Sequence, residues 1–269
     1  MPELPEVETL CRQLKQVILD KEILGIEILD PKLTAGEGLV RRRVLSVARQ
    51  GKVLEIKLDA GITMLLHLRL TGRLLWQKGN NLSFPHTRFT IFFLQGRLDC
   101  IDPRRFATLS VQKTIGTNFA APVIDPLKDF HAFRLWEIAR RRKIPVKSFL
   151  TDQHIIARIG NIYACEILYE ASIDPWQRVD SLSLAKWQKI EEATISILKR
   201  AIACRGTTVS DWHDLFGRKG EYQHYLKVYA SGGYPCPRCQ ATIQCMHLQG
   251  RGTYFCPTCQ KPEAKMRLF

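Results

Sequence analysis

The residue types best suited to chemistry stand at the start of the chain, which opens Met1-Pro2-Glu3-Leu4-Pro5-Glu6. A small second residue lets the initiator Met be removed, leaving Pro2 as a secondary amine on a rigid ring. An α-amino group titrates near ~8, against ~10.4 for a lysine. Much of it is therefore an unprotonated nucleophile at neutral pH, without the desolvation that a lysine needs. Such an amine can attack a sugar or carbonyl carbon and form a Schiff base, and Glu3 follows at once to trade protons with the reacting atoms. Taken alone, Pro2 reads as a proline that merely precedes a helix. The rest of the chain has to decide.

The tail carries a second pattern, Cys236-Pro-Arg-Cys239 and Cys256-Pro-Thr-Cys259, separated by sixteen residues. Each C-x2-C forms a knuckle, and the two together present four thiolates to one tetrahedral Zn²⁺. A tetrathiolate site is closed, with no position for a catalytic water, so one structural zinc is expected. Between the knuckles, Ile243, Cys245 and His247 alternate with Thr242, Gln244 and Met246, and Gly250-Arg251-Gly252 reads as a turn. This predicts a β-hairpin with Arg251 at its tip. There Arg251 is either an arginine inserted toward a phosphate or a solvated turn residue. The other cysteines (Cys11, Cys100, Cys165, Cys204 and Cys245) read as free thiols, because nine is an odd count and the chain looks intracellular.

Charge narrows the class of partner. Lys and Arg number 40 against 26 Asp and Glu, a formal net charge of +14. An excess of that size in a globular chain suggests a polyanion, most simply nucleic acid. The 45% hydrophobic content supports real cores and excludes wholesale disorder. No uninterrupted apolar run approaches transmembrane length, and no signal peptide is visible, so no membrane partner is expected.

These groups need elements to position them. Val7, Leu10, Leu14, Val17 and Ile18 recur at helical spacing and predict an N-terminal helix. From about Ile23 to Val111 the texture is that of short strands. One predicted hairpin joins 54–58 to 63–70 across Asp59-Ala60-Gly61. Another joins 89–93 to 98–101 across Gln95-Gly96, and serial antiparallel hairpins suggest a β-sandwich. After Pro126 the pattern is helical. One helix is predicted over 129–142 with Asp129 as N-cap, a helix–turn–helix over 152–175 with its turn at Gly160-Asn161, and a long helix over 184–204. The expected organisation is an α+β multidomain chain: an N-terminal helix and β-sandwich over 1–115, a linker over 116–128, a helical domain holding that helix–turn–helix over 129–230, and a zinc ribbon over 231–269.

The ordered set of motifs resembles the formamidopyrimidine-DNA glycosylase family (Fpg), with the endonuclease VIII group as its relatives. The resemblance runs from Met1 to about Gln260. It rests on Pro2-Glu-Leu-Pro-Glu-Val-Glu-Thr9, Gln50-Gly-Lys52, His67-Leu-Arg-Leu70, Asp102-Pro-Arg-Arg-Phe106, Asp152-Gln153, Gly160-Asn-Ile-Tyr163 and the ribbon with Arg251. It implies a base-excision repair enzyme that acts on damaged double-stranded DNA, excising a base and then cleaving the strand at the abasic site by β,δ-elimination. Pro2 would be the nucleophile, Glu3 the proton carrier, Lys52, expected at the start of a strand, the catalytic lysine, and Arg251 a phosphate grip linked to δ-elimination; the helix–turn–helix would be the family's helix–two-turn–helix. Leu70, Arg104 and Phe106 match the residues that fill the void left by a flipped base, Leu70 standing where methionine is usual. Asn161, His86, Arg142 and Lys143 match or adjoin backbone-contacting positions, and Glu6 and Glu166 are supporting carboxylates. Arg158 stands where the family commonly has glycine.

Gly217 to Tyr225, ahead of a predicted strand over 226–229, has the place and length of the loop that Fpg proteins fold over oxidised purines, so 8-oxoguanine and formamidopyrimidines are the expected lesions. Oxidised pyrimidines are the runner-up. A non-catalytic DNA-binding relative is an alternative of a different class. A zinc-ribbon transcription factor would explain the ribbon and the charge, but not Pro2, Lys52 or the hairpins. A monomer acting in the bacterial cytoplasm or nucleoid completes the expectation.

Overall fold

The computed structural model describes residues 2–33, 38–79, 84–113, 123–157, 159–209 and 211–262. Arg158 and most of the expected linker lie outside the described residues. Two units emerge. One holds residues 1–119 and 201–223, the other residues 120–200 and 224–269.

In the first unit the helical stripe becomes α1, Leu4–Ile18, with Leu4, Leu10, Leu14 and Ile18 buried. Each such side chain contributes roughly 1.5–3 kcal/mol on burial. The strands are β1 Gly25–Ile28, β2 Val44–Gln50, β3 Val53–Leu58, β4 Ile62–His67, β5 Arg73–Gln77, β6 Thr87–Phe93, β7 Gly96–Ile101 and β8 Thr108–Lys113. They form two four-stranded antiparallel sheets, ordered β1-β6-β7-β5 and β2-β3-β4-β8. One apolar core joins the α1 stripe, Leu54, Ile56 and Leu66 of one sheet, and Phe89, Ile91 and Leu98 of the other. The two predicted hairpins are β3–β4 and β6–β7. The first ends at His67, so Leu70 lies in the following turn and not in the strand.

Segment 201–223 packs into this same unit. Gln13 of α1 donates to Asp214 at 2.9 Å and accepts the Leu215 N–H at 2.9 Å, and Leu215 joins the sandwich core. Asp214 is buried and also accepts the N–H groups of Phe216 and Arg218. The start of the stretch expected as a lesion loop is thereby pinned, and Tyr222–Tyr225 closes it as a short 3-10 turn.

The second unit contains α2 Ala132–Ala139, α3 Val146–Thr151, α4 Asn161–Glu170 and α5 Leu184–Ala203 through Arg200, then the hairpin β9 Gln244–Leu248 and β10 Arg251–Phe255. Three local expectations are corrected. His131, not Asp129, caps α2. The Asp129 carboxylate instead accepts the Asp125 N–H at 2.6 Å and pairs with Arg134, closing a turn before the helix. The first helix of the pair is α3, which ends at Thr151, because Asp152 caps a turn by accepting the His154 N–H. No strand forms at 226–229. The N–H groups there go to a buried carboxylate in place of a sheet partner.

Candidate functional site

At the N-terminus, Pro2 is half-buried ahead of α1, and Glu3 is 5% exposed. Glu6 holds this corner. Its Oε2 accepts the Glu3 N–H at 2.7 Å, one half of a capping box, and its Oε1 accepts the Thr207 N–H at 2.8 Å. Gly206 makes the approach possible. It sits at φ +85°, and a Cβ there would lie 2.7 Å from Glu6 Oε1. Two residues on from Glu6, Glu8 pairs with Arg49 of β2 at 2.5 Å and with Arg12 at 2.8 Å. Burial pushes the Glu8 carboxyl up, but the two guanidiniums outweigh it and hold the group below its ordinary value. Strand β2, so anchored to α1, ends one residue later. Gly51-Lys52 is the two-residue turn between Gln50 and Val53. Lys52 is half-exposed in that turn, one position short of the strand where it was expected.

Leu70, Arg104 and Phe106 occupy two neighbouring loops of the same unit. Leu70 is 49% exposed and Phe106 42%, so two large apolar side chains face solvent on adjoining loops. The Arg104 guanidinium lies 4.8 Å above the Phe106 ring. The fully buried Asp102 organises both loops. It accepts the Thr71 hydroxyl from one, and the N–H groups of Arg104, Phe106 and Ala107 from the other. His86, exposed at φ +65°, accepts the Asp102 N–H through its carbonyl at 3.0 Å and so borders the same loop.

In the second unit, Asn161 is the first residue of α4 and Gly160 its N-cap. Lys147 of α3 is 3% exposed and donates to Asn161 Oδ1 at 2.6 Å and to Thr253 Oγ1 at 2.7 Å. Asn161 Nδ2 donates to the Gly252 carbonyl at 2.9 Å. Both polar ends of Asn161 are thus held, and the ribbon hairpin is fastened to the start of α4. Arg142, Lys147, Asn161, Gln249 and Arg251 line one cleft, with Asp152 the only carboxylate among the described residues lining it. Such a cleft favours an anion, beside a helix N-terminus whose first N–H groups lack helical partners. The hairpin turn is Gln249-Gly250, both at positive φ, and Arg251 opens β10 opposite Leu248. Arg251 therefore stands beside the tip and not on it. Lys143 is exposed after α2 and does not line the cleft.

Glu166 is buried on α4, where it accepts the N–H groups of Lys227, Val228 and Tyr229 at 2.8–2.9 Å. Burial raises its carboxyl above the ordinary value, against the three amides, which pull it down.

The four cysteine sulfurs gather within 4.8 Å of one another, with Cys236–Cys259 at 3.8 Å and Cys239–Cys256 at 3.4 Å. A tetrahedron of Zn–S bonds of about 2.3 Å has edges of about 3.8 Å, so the donor set and its spacing fit one structural zinc. The Tyr169 hydroxyl lies 3.2 Å from Cys236 Sγ. Arg238 stacks on the Tyr169 ring at 4.2 Å and donates to the Tyr169 carbonyl at 2.7 Å.

Sequence reasoning quoted Asp102 within a motif without giving it a role, and missed Thr71, Gly206 and Thr207. Asp102-Pro-Arg was a readable signal, since an Asp side chain commonly accepts an N–H two residues on. Thr207 carried no local signal, because its partner is 201 residues away.

Comparison with known proteins covers nearly the whole chain. Residues 1–109 match the formamidopyrimidine-DNA glycosylase N-terminal domain, 123–212 the formamidopyrimidine-DNA glycosylase H2TH domain, and 233–262 a zinc finger found in FPG and IleRS. A formamidopyrimidine-DNA glycosylase of Pelotomaculum thermopropionicum is 37% identical over 97% of this chain and 99% of its own length. One of Chloroflexus aggregans is 38% identical over 97% and 98%. A Lactococcus lactis FPG mutant, solved with a Fapy-dG containing DNA, superposes with a TM-score of 0.87 at 30% identity, covering 97% of this chain and 100% of that one. The wild-type Lactococcus lactis Fpg (MutM), solved with an oxidized pyrimidine containing DNA, gives a TM-score of 0.85 at 30% identity with the same coverage.

Proposed function

The chain belongs to the formamidopyrimidine-DNA glycosylase family, and from that premise we propose that it excises oxidised purines from double-stranded DNA and then cleaves the strand at the abasic site. The lesion nucleotide is flipped out of the duplex. The Pro2 nitrogen attacks C1′ of its deoxyribose, the glycosidic bond breaks, and the base leaves with the bonding pair. Opening of the sugar ring at C1′–O4′ yields the iminium, with Glu3 supplying or removing protons at the sugar. The iminium acidifies C2′. Loss of a C2′ proton expels the 3′ phosphate, and a second elimination expels the 5′ phosphate.

The observation that carries this reading is the N-terminal corner: a half-buried Pro2 directly before Glu3, whose N–H is held by the Glu6 carboxylate that also takes the Thr207 N–H. In the same reading Lys52 assists at the lesion from the β2–β3 turn. Leu70, Arg104 and Phe106 fill the void, Arg104 facing the orphaned base. His86, Arg142, Lys143, Asn161 and Arg251 hold phosphates, and Glu166 supports the site. When bound, zinc supplies a fixed hairpin and no chemistry, held by Cys236, Cys239, Cys256 and Cys259. The protein acts as a monomer on DNA in the bacterial cytoplasm or nucleoid.

Borohydride trapping tests the nucleophile. Mature protein with lesion duplex gives a covalent adduct, whereas protein with an uncleaved tag before Pro2 gives none. An adduct of equal yield with the tagged protein would remove Pro2 from the reaction. A second reading, excision of oxidised pyrimidines, draws support from the relative solved with an oxidized pyrimidine containing DNA. Competition between duplexes holding 8-oxoguanine and thymine glycol separates the two, and a strong thymine glycol preference selects the second.

A further inference from the structure

We infer that Thr71 and Asp102 form a positioning pair that sets the spacing between Leu70 and the Arg104–Phe106 loop, and through it the enzyme's ability to open a duplex and discriminate the opposite base. This rests on the void-filling reading proposed above and assigns it a device.

The geometry is specific. Asp102 has no exposed surface, yet the Thr71 hydroxyl reaches it from the Leu70 turn. Its Oδ1 also accepts the Arg104 N–H at 3.2 Å, and its Oδ2 accepts the N–H groups of Phe106 at 2.7 Å and Ala107 at 2.6 Å. Arg88, itself buried, brings a guanidinium nitrogen to 3.8 Å and answers the carboxylate charge. Burial alone would raise the Asp102 carboxyl, but these hydrogen bonds hold it below its ordinary value, so the acceptor is ionised at neutral pH.

The two loops also touch at Gly72, where a Cβ would fall 2.9 Å from Ala107 Cβ and 2.5 Å from the Leu68 carbonyl oxygen. Leu70 and Phe106 are therefore held out in solvent by a rigid base, and their exposure is not the looseness of a frayed turn. A wedge already at its working spacing loses little conformational entropy when it enters a base stack. Among the described residues the Thr71 hydroxyl is the one side-chain donor that carries the Leu70 turn onto Asp102, while three backbone amides keep the other loop on the same carboxylate whatever residue 71 is.

Thr71→Val removes that donor at nearly constant volume and spares the amides, and Thr71→Ser restores it. Each is compared with wild type on a single-stranded abasic oligonucleotide, which has no void to fill, and on duplexes with 8-oxoguanine opposite C or A. A 2-aminopurine beside the lesion reports unstacking. Thr71→Val is expected to trap the single strand within about twofold of wild type. Its duplex excision falls roughly ten- to a hundredfold, as misplacement of a positioning group does, with weaker unstacking and a smaller C-to-A ratio, and Thr71→Ser recovers all three. Duplex excision and C-to-A ratio within twofold of wild type would overturn the inference. So would an equal loss on both substrates that serine does not rescue, which marks a merely structural contact. No adduct from wild type on either substrate would instead strike the proposed activity, and the inference with it.

Discussion

Thr207 gives its backbone N–H to Glu6 Oε1 at 2.8 Å across 201 residues of sequence. The same carboxylate takes the Glu3 N–H at 2.7 Å, so one side chain orients the start of the chain against a distant loop. Glu6→Gln presents an NH2 where one of two N–H donors already points. The expected cost is about 1–3 kcal/mol of stability and a slower approach of Pro2 to its substrate, read as a lower Tm and a reduced rate of borohydride trapping. Gly206→Ala works from the other side, by crowding Glu6 and straining φ +85°, and shifts both readouts the same way. A wild-type trapping rate in both variants would separate this corner from the chemistry.

The first unit is expected to lose stability in acid. Arg105 and Arg88 hold Asp30 below the ordinary carboxylate value. Asp102 and Asp214 are pushed up by burial, but their hydrogen bonds carry them below it. A carboxyl depressed in the folded state contributes stability that is full above the unfolded value of about 3.9 and is lost as pH falls through the folded values beneath it. Glu166 in the second unit, raised by burial, has the opposite sign, and its contribution weakens as pH rises through its folded value. Hydrogen exchange against pH should therefore show first-unit amides losing protection below about pH 4. Asp102→Asn should flatten that acid limb, and an unchanged limb would contradict the assignment.

Zinc retention is expected to depend on Tyr169. Its hydroxyl lies 3.2 Å from Cys236 Sγ and its ring carries Arg238. Groups that hydrogen-bond a metal ligand typically contribute about 10–100-fold to metal affinity. Tyr169→Phe should hand zinc to a colorimetric chelator faster than wild type, with the four ligand thiols becoming titratable in step. Equal release rates would leave Tyr169 as packing alone.

Salt dependence tests the basic cleft. Arg251 shares it with Arg142, Lys147 and Asn161. If Arg251 holds a phosphate, Arg251→Ala lowers the slope of log affinity against log salt by about 0.9 and weakens binding by the same factor on every sequence. A variant slope equal to that of wild type would place Arg251 outside the contact.

Elements whose signal is local were legible in the sequence. The apolar stripe of α1, the two hairpins of the sandwich and the paired cysteine knuckles each depend on spacing within one segment, and each stands where its spacing put it, except that the first hairpin ends at His67 and leaves Leu70 in a turn. The candidate residues were legible as types for the same reason. Short-range errors arose where a side chain outcompeted a backbone pattern. Asp129 closes a turn ahead of the helix it was expected to cap, and the N–H groups of 227–229 answer the buried Glu166 where a strand was read. Only the tertiary structure decided that segment 201–223 belongs with the sandwich, that Asp102 gathers two loops, and that Lys147 fastens Asn161 to the ribbon. Those facts are pairings of buried polar groups. Burying a donor or acceptor without a partner costs more than the bond returns, so each must find one, but which one depends on what the fold brings within about 3 Å, and sequence spacing carries no record of that.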